Sequence, residues 1–159
     1  MAEDDLSSPR AAVFTAFNFS VEVDVPGLGE RIVAAAFQEC DGLEITHEVK
    51  NIREGGNNAR VIRLTGQLAF GQVTLKRGMT ANFDLWKWVA KLAADDSMHL
   101  RPDCHVVILS ADRSEERARF VLSRVVPVKI KAPALNAKDG TIAIEELQLA
   151  YEGLSLEAP

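Results

Sequence analysis

Apolar and polar residues alternate along most of this chain, a pattern typical of β-strands with one buried and one solvated face. The alternation is clearest over residues 17–25, FNFSVEVDV, where phenylalanine and valine occupy every second position. It recurs over residues 43–50, LEITHEVK, after the turn signal Asp41-Gly42. Further strand-like segments are predicted at residues 32–37, 61–68, 72–78, 106–109, 118–130 and 141–151.

One segment, TANFDLWKWVAKLAADD at residues 80–96, has helical instead of strand periodicity. Thr80 or Asn82 is placed to cap the helix, and Asp84 suits the positive end of the helix dipole. The predicted apolar face consists of Leu85, Trp86, Val89, Leu92 and Ala93, and the opposite charged face consists of Asp84, Lys87, Lys91 and Asp95.

The two tryptophans of this helix, Trp86 and Trp88, are two residues apart and project about 160° away from each other. Only one of them can therefore point to the centre of the apolar face. We assign Trp86 to the core and Trp88 to the flank, beside Leu92 and Asp84. On the flank, Trp88 either lies along the domain's own surface or anchors an interface, a role in which tryptophan is enriched.

These segments predict a mainly β fold, an antiparallel β-barrel or sandwich of about seven or eight strands with one flanking α-helix. No βαβ rhythm is present, so a parallel sheet is not expected. The chain of 159 residues is long enough to bury a core. Residues 1–12, MAEDDLSSPRAA, are predicted to form a flexible N-terminal arm, and residues 13–159 a single domain.

Composition narrows the class of protein further. The net charge of −5 disfavours free-standing nucleic-acid binding, because such proteins concentrate positive charge against phosphates. No apolar run approaches the roughly 20 residues that span a bilayer, and the acidic N-terminus does not resemble a secretory signal. A cytoplasmic product without direct membrane insertion is therefore expected. Cys40 and Cys104 have no metal-type spacing, and two buried thiols are favoured over a disulfide.

Residues typical of catalytic and metal sites are isolated along the sequence. His47 lies in phase with a predicted strand, and His99 and His105 form no recognisable ligand set with the cysteines. Glu145 and Glu146 are neighbours in a predicted strand and point to opposite faces, which favours a bulge or a partner-facing surface over a catalytic pair. No nucleophile elbow or phosphate loop is present. We predict no catalytic residue, no cofactor and no metal, with a scattered enzyme site as the alternative.

The segment NIREGGNNARVIRL, residues 51–64, places six small or polar residues between two predicted strands, where a tight hairpin needs about two. One interpretation is a solvated loop. The other is a contact with a partner, because long strands joined by an extended hairpin leave edges that must be paired or covered. The candidate contact residues are Arg53, Glu54, Gly55, Gly56, Asn57, Asn58 and Arg60.

Four stretches carry a resemblance to a known family. They are FNFSVEVDVPG, AAFQECDGLEITHEVKNIREGGNNARVIRLTGQL, VTLKRGMTANFDLWKWV and APALNAKDGTIAIEELQLAYEGL. Together they resemble the tail tube proteins of contractile phages, a family that includes the inner tube proteins of phage tail-like extracellular contractile injection systems. The similarity spans Phe17 to Leu154, and its most specific pieces are REGG, TLKRG before the tryptophan-containing helix, and EELQLAYEGL.

The resemblance implies a β-barrel subunit with a flanking helix that forms hexameric rings, which stack into a hollow tube without catalysis of its own. The implied partners are further copies of the chain, a sheath protein, baseplate or tube-initiator and spike proteins, and a cap or terminator. The lumen would hold protein cargo, or DNA in a phage. By the same resemblance, the REGGNN region reaches toward a neighbouring subunit or the next ring.

Two alternatives stay open within this resemblance. A contractile-tailed phage would use the tube for DNA, and a type VI-like secreted ring would act as an effector adaptor. An injection system is the preferred interpretation. In each case the subunit would be made and assembled in the bacterial cytoplasm, and the finished particle would be released, retained or membrane-anchored, or would form the tail of a virion.

Overall fold

The structure is a computed structural model. It describes residues 14–25, 32–33, 37–56, 60–94, 101–138 and 140–158, with only the backbone described at 32–33. Several predictions therefore lie outside the described residues: the N-terminal arm at 1–12, Asn57 and Asn58 of the candidate contact, His99, and Asp95 of the charged helix face.

The described part of the chain is mainly β, with antiparallel strand pairs and one helix. This confirms the predicted class. The strands are β1 (Phe19–Val23), β2 (Ile32–Val33), β3 (Phe37–Asp41), β4 (Ile45–Arg53), β5 (Val61–Phe70), β6 (Gln72–Gly78), β7 (Cys104–Leu109), β8 (Glu116–Ser123), β9 (Val126–Lys131), β10 (Ile144–Ala150) and β11 (Gly153–Glu157), and the helix is α1 (Asp84–Ala94). The expected count of about seven or eight strands was too low.

The count was too low partly because one long alternating segment changes sheets. The predicted strand at 118–130 divides into β8 and β9 at Arg124, whose φ is 54°. The Asp103 carboxylate accepts a hydrogen bond of 2.9 Å from the Arg124 backbone N–H and holds this turn. The chain therefore passes from one sheet to another while its apolar alternation continues, and the sequence pattern alone does not reveal the change.

Two larger sheets pack their apolar faces against one shared core. The first has the order β11-β8-β7-β1-β2 and the second the order β3-β6-β10-β9. Val21 and Leu122 of the first sheet lie in the same buried cluster as Leu75 and Leu147 of the second. Neither larger sheet closes on itself within the residues that the structure describes. Of the two predicted architectures, the described chain therefore shows sheets packed face to face and no closed barrel.

A buried ion pair within the second sheet also binds the start of the helix. The Arg77 guanidinium on β6 bonds the Glu145 carboxylate on β10, and both side chains are only 3% exposed. The other Glu145 oxygen accepts a hydrogen bond of 2.9 Å from the indole N–H of Trp86. Arg77 also donates to the carbonyl of Asn82, whose side chain caps the helix by accepting from the Asp84 N–H. The predicted Asn82 cap is therefore confirmed.

The assignment of the two tryptophans was wrong. Trp88 is fully buried in the core, whereas Trp86 is only partly buried and turns its indole N–H toward Glu145. Leu85, Trp88 and Leu92 are spaced by three and four residues, so they share one face of the helix. That face, and not the one centred on Trp86, meets the sheets. Trp88 is therefore a core residue and does not serve as a surface anchor.

Candidate assembly surface

The strands β4 and β5 form a two-stranded sheet of their own that pairs with neither larger sheet. We call this unit the hairpin. The whole of β4 is exposed, and only three residues of β5 are half-buried. A two-stranded hairpin without a covering layer is marginally stable in water. The hairpin is therefore the part of the described structure that most needs a partner.

The base of the hairpin is fixed to the body by backbone and hydroxyl contacts. The Tyr151 hydroxyl accepts a hydrogen bond of 3.0 Å from the Glu44 N–H and donates to the Gly42 carbonyl at 2.9 Å. The Gly71 N–H donates to the Glu44 carbonyl at 3.3 Å. Gly42 has a φ of 94°, and a Cβ at this position would lie 2.1 Å from the Gln72 carbonyl oxygen. Only glycine fits this close approach.

A bulge divides the hairpin into two halves. His47 is opposite Leu68 and Val49 is opposite Thr65, so Gly66 and Gln67 together face the single residue Glu48. A Cβ at residue 66 would lie 2.9 Å from the Glu48 carbonyl oxygen, and the bulge therefore requires glycine. Every second residue of β5 from Ile62 to Phe70 is apolar or glycine. Without a bulge, these residues would line one continuous face.

Because of the bulge, the exposed apolar side chains separate onto opposite faces. Residues directly opposite each other in an antiparallel pair share a face, and successive residues along a strand alternate between faces. The base patch lies near the body and consists of Ile45, Val49 and Leu68, which are 44–53% exposed. The tip patch lies on the other face and consists of Ile52 and Leu64, both exposed, and the half-buried Ile62.

The predicted contact residues lie at the far end of the hairpin. Arg53, Glu54, Gly55, Gly56 and Arg60 are all exposed. Gly56 has a φ of 95°, which favours glycine, whereas a Cβ at Gly55 would meet nothing within 4 Å. The structure therefore brings these residues together at one exposed turn, where a side chain at residue 55 would begin in space that the described residues leave open. Their contact with another copy stays a prediction.

The hairpin carries the opposite charge to the rest of the chain. Residues 45–70 contain four basic and two acidic side chains, a net charge of +2, whereas the whole chain has a net charge of −5. The remaining residues therefore carry −7. Of that −7, −5 belongs to residues outside the described ranges, and the described residues outside the hairpin carry −2. The hairpin and the described body therefore have net charges of opposite sign.

The adjacent carboxylates Glu145 and Glu146 point to opposite faces, as expected. Glu145 is buried with Arg77, and Glu146 lies 3.7 Å from the Lys129 ammonium on the solvated face. The register between β10 and β9 shifts between Gln148 and Leu149. The bulge therefore lies nearer the end of β10 than the two glutamates, where it was expected. Each glutamate is occupied by an ion pair, and the two do not act on one substrate.

The remaining histidines do not form a site with the cysteines. His47 is exposed on the hairpin, and His105 borders a cavity of about 70 Å³ with Glu22, Asp24 and Arg119. Arg119 lies 3.7 Å from Glu22, so a cation already faces this group of acids. Among the described residues, no group of histidine, cysteine and carboxylate side chains has the arrangement of a metal site.

The two cysteines are free thiols in or near the core. Burial raises the pKa of Cys104 to about 12 and the pKa of Cys40 to about 11, with a smaller contribution to Cys40 from the neighbouring Asp41 carboxylate. Both thiols are therefore protonated at neutral pH, and the thiolate is the nucleophilic form. The prediction of two thiols in preference to a disulfide is confirmed, although only Cys104 is fully buried and Cys40 is half-buried.

A family model described as T4-like virus tail tube protein gp19 matches residues 15–155, and the chain therefore belongs to this tail tube family. The match covers both larger sheets, the helix and the hairpin. A search of curated proteins finds no significant match. None of the helices in the described ranges is long and apolar enough to cross a membrane.

Solved structures share the fold. A chain in the cryo-EM structure of the anti-feeding prophage baseplate has a TM-score of 0.84 and 24% sequence identity, over 93% of this chain and 97% of that chain. A chain of the PVC extracellular contractile injection system sheath-tube complex, in the extended state, has a TM-score of 0.77 and 20% identity, over 94% and 95%. Hcp1 from Flavobacterium johnsoniae has a TM-score of 0.53 and 14% identity, over 90% and 97%.

Sequence reasoning found the turn of the hairpin but missed its apolar patches. The alternation at Ile45 and Val49 predicted a strand with a buried face, whereas the structure exposes that face. One signal was available. The next apolar residue after Val49 is Ile52, which is out of phase with the alternation before it. A strand with an apolar face that changes halfway does not fit against one flat core.

Proposed function

We propose that the chain is the structural subunit of the inner tube of a contractile injection system, in which hexameric rings stack into a hollow conduit for cargo. The observation that carries this proposal is the hairpin, which exposes apolar side chains on both faces of a tail tube family member. An apolar surface of this kind is typical of an interface. Assembly covers it with other copies of the same chain.

Strand edges support the same proposal. Within the described residues, the edge strands are β11 and β2 in the first sheet and β3 and β9 in the second. Exposed sheet edges are blunted, covered or paired in native proteins. Joining sheets from six copies would produce a closed barrel around a channel, which removes the edges. The barrel predicted for the single chain is, in this proposal, a property of the ring.

The proposed partners follow from the assemblies in which related folds occur. Their structures are described as a baseplate, a tube-terminating cap and a sheath-tube complex. We propose equivalent partners here: sheath, baseplate or tube initiator, spike, and cap. Protein cargo would occupy the lumen. The subunit needs no cofactor and performs no catalysis, and it is assembled in the bacterial cytoplasm into a particle that is released or anchored.

A phage tail tube is the second candidate, because the family model is named for a phage tail tube protein. The subunit would be the same and the lumen would pass DNA. Purified particles distinguish the two: nuclease-protected DNA inside intact particles indicates a phage, and protein cargo in DNA-free particles indicates an injection system. The proposed division into an arm at residues 1–12 and one domain at 13–159 is common to both.

The purified chain, with its baseplate initiator supplied, tests the proposal. Negative-stain electron microscopy is expected to show hollow filaments or stacked rings of uniform width. Monomers alone, at high protein concentration and with the initiator present, would contradict the proposed function. Gly55→Ala and Gly55→Leu are matched probes of the turn, since a Cβ at residue 55 meets no atom of the described residues within 4 Å. Loss of stacking with an unchanged melting temperature would place this turn in an inter-copy contact.

A further inference from the structure

The two apolar patches of the hairpin face opposite directions. The base patch (Ile45, Val49 and Leu68) lies on one face, and the tip patch (Ile52, Ile62 and Leu64) lies on the other. On the face of the base patch, the polar pair Asn51 and Arg63 follows the patch toward the tip. Val61, two residues from Arg63 on the same face, is exposed and apolar but belongs to neither patch. A partner resting flat on one face covers only one of the patches.

Resting on the proposed tube function, we propose that the hairpin bridges two different neighbouring copies of the chain. One copy covers the base patch and a second copy covers the tip patch. The Gly66 bulge separates the two contacts, because it turns the apolar residues of β5 onto different faces before and after residue 66. The hairpin is therefore a two-sided connector and not a single docking arm.

The pairing of the strands supports two distinct surfaces. Apolar residues stay opposite each other on both sides of the bulge: Ile45 is opposite Phe70 near the base, and Ile52 is opposite Ile62 near the tip. β5 changes phase at the bulge opposite Glu48, and β4 changes phase between Val49 and Ile52, on the tip side of the bulge. Both strands therefore turn their apolar residues to the other face in the middle of the hairpin.

Charge favours copies of this chain as both occupants. The tip patch has Lys50 opposite Leu64, and Arg53 and Arg63 lie on the opposite face near the tip. These cations belong to the hairpin's net charge of +2, whereas the rest of the chain carries the acidic excess. The described residues outside the hairpin have a net charge of −2, opposite in sign to that of the hairpin, so the body of another copy is an electrostatically matched occupant.

The two patches abut along the hairpin, so the face on which each lies, and not distance, separates the two contacts. Val49 of the base patch is one position from Lys50, which is opposite Leu64 of the tip patch. The competing arrangement is one neighbour that follows the twist of the ribbon and covers both patches. Two-stranded ribbons twist strongly, so this arrangement is the one that the experiment must separate from the proposal.

Three glutamate variants on the same strand test the proposal. Val49→Glu places a charge in the base patch, Ile52→Glu places one in the tip patch, and the matched control Thr46→Glu alters an exposed polar position in neither patch. Mass photometry and negative-stain electron microscopy measure the assembled species. We expect Val49→Glu and Ile52→Glu to stop assembly at different species, one at separate rings and the other before rings close, while Thr46→Glu forms wild-type filaments.

The outcomes separate the two proposals. If wild type forms no rings or filaments, the tube function itself fails. If wild type assembles and the two patch variants stop at the same species, the two-neighbour arrangement is overturned and the tube function stands. Failure of Thr46→Glu to assemble also overturns it, because the patches would then have no special role.

A second measurement does not depend on disrupting assembly. The photo-crosslinking amino acid p-benzoylphenylalanine replaces both Val49 and Ile52 in one chain, which is mixed with an excess of isotope-labelled wild type. We expect crosslinked species that contain two labelled copies. Crosslinked species that never contain more than one labelled copy, although both positions react, overturn the proposal.

Discussion

Apolar residues occupy alternate positions in both β1 and β5, yet the valines of β1 are buried and the leucines of β5 are exposed. Val21 and Val23 of β1 are at most 3% exposed, whereas Leu64 and Leu68 of β5 are 47% and 44% exposed. The first strand has a sheet and an opposing sheet to pack against, and the second has only its hairpin partner. Alternation therefore indicates a strand in both regions, but it indicates burial within the chain only in the body.

Charged side chains show the same contrast between the body and the hairpin. In the body, a charge is buried and paired, as in Arg77 and Glu145. In the hairpin, the charges at the turn are exposed. We infer that the body carries the folding free energy of the subunit and the hairpin carries the free energy of assembly. The following predictions, from the largest expected effect to the smallest, test that division.

Removing the largest buried side chain is expected to have the largest effect on folding. Trp88→Ala should lower the free energy of unfolding by about 3–5 kcal/mol, because a cavity replaces a fully buried indole. The matched variant Leu64→Ala in the hairpin should change it by less than about 0.5 kcal/mol. Urea denaturation at a protein concentration that prevents assembly measures both. Equal losses would contradict the division between body and hairpin.

Breaking the buried ion pair is expected to be nearly as costly. Arg77→Met leaves Glu145 buried without its cation and should destabilise the subunit by about 3–5 kcal/mol. Its neighbour Lys76 bonds the exposed Glu39 on the other face of β6, so Lys76→Met should leave the midpoint of urea denaturation nearly unchanged. The two variants make the same substitution at adjacent positions. A similar midpoint of urea denaturation for both would be evidence against the importance of the buried pair.

Substitution of the glycines at the two ends of the hairpin is expected to change the melting temperature by different amounts. Gly42→Ala forces a Cβ against the Gln72 carbonyl at a positive φ, and should cost more than about 1 kcal/mol, or about 2–4 °C in melting temperature. Gly55→Ala meets open space and should leave the melting temperature unchanged. Differential scanning fluorimetry measures both. An unchanged melting temperature in Gly42→Ala would show that the hairpin base is not rigidly fixed to the body.

The smallest expected effect is a local dependence on pH at the turn before β8. Hydrogen bonds from Ser110 and Ser114 lower the pKa of Asp112 to about 2 from its usual 3.8. A lowered pKa means that the ionised carboxylate stabilises the turn above about pH 4, and that this is lost as the pH falls toward 2. NMR titration of the Ser114 amide should follow that range, and Asp112→Asn should remove the titration. A midpoint near 3.8 would show that these bonds do not persist in solution.

The sequence predicted the mainly β class, the helix and its Asn82 cap, because those depend on residues close together in the chain. It did not predict the burial of Trp88. Two helical faces had similar apolar content, and the choice between them depended on Glu145, about sixty residues away, which binds Trp86. Nor did it predict that one alternating segment divides at Arg124 between two sheets.

By itself, the sequence determined the mainly β class, the helix, the exposed turn of the hairpin, and the resemblance to a tail tube family. Only the tertiary structure decided which apolar strand residues are buried and which face outward, since this depends on whether a second sheet lies opposite. It also decided that the single apolar face suggested by β5 becomes two patches, because two residues at Gly66 and Gln67 face one residue of β4. Local pattern gives the strand, and long-range pairing gives the direction in which each side chain points.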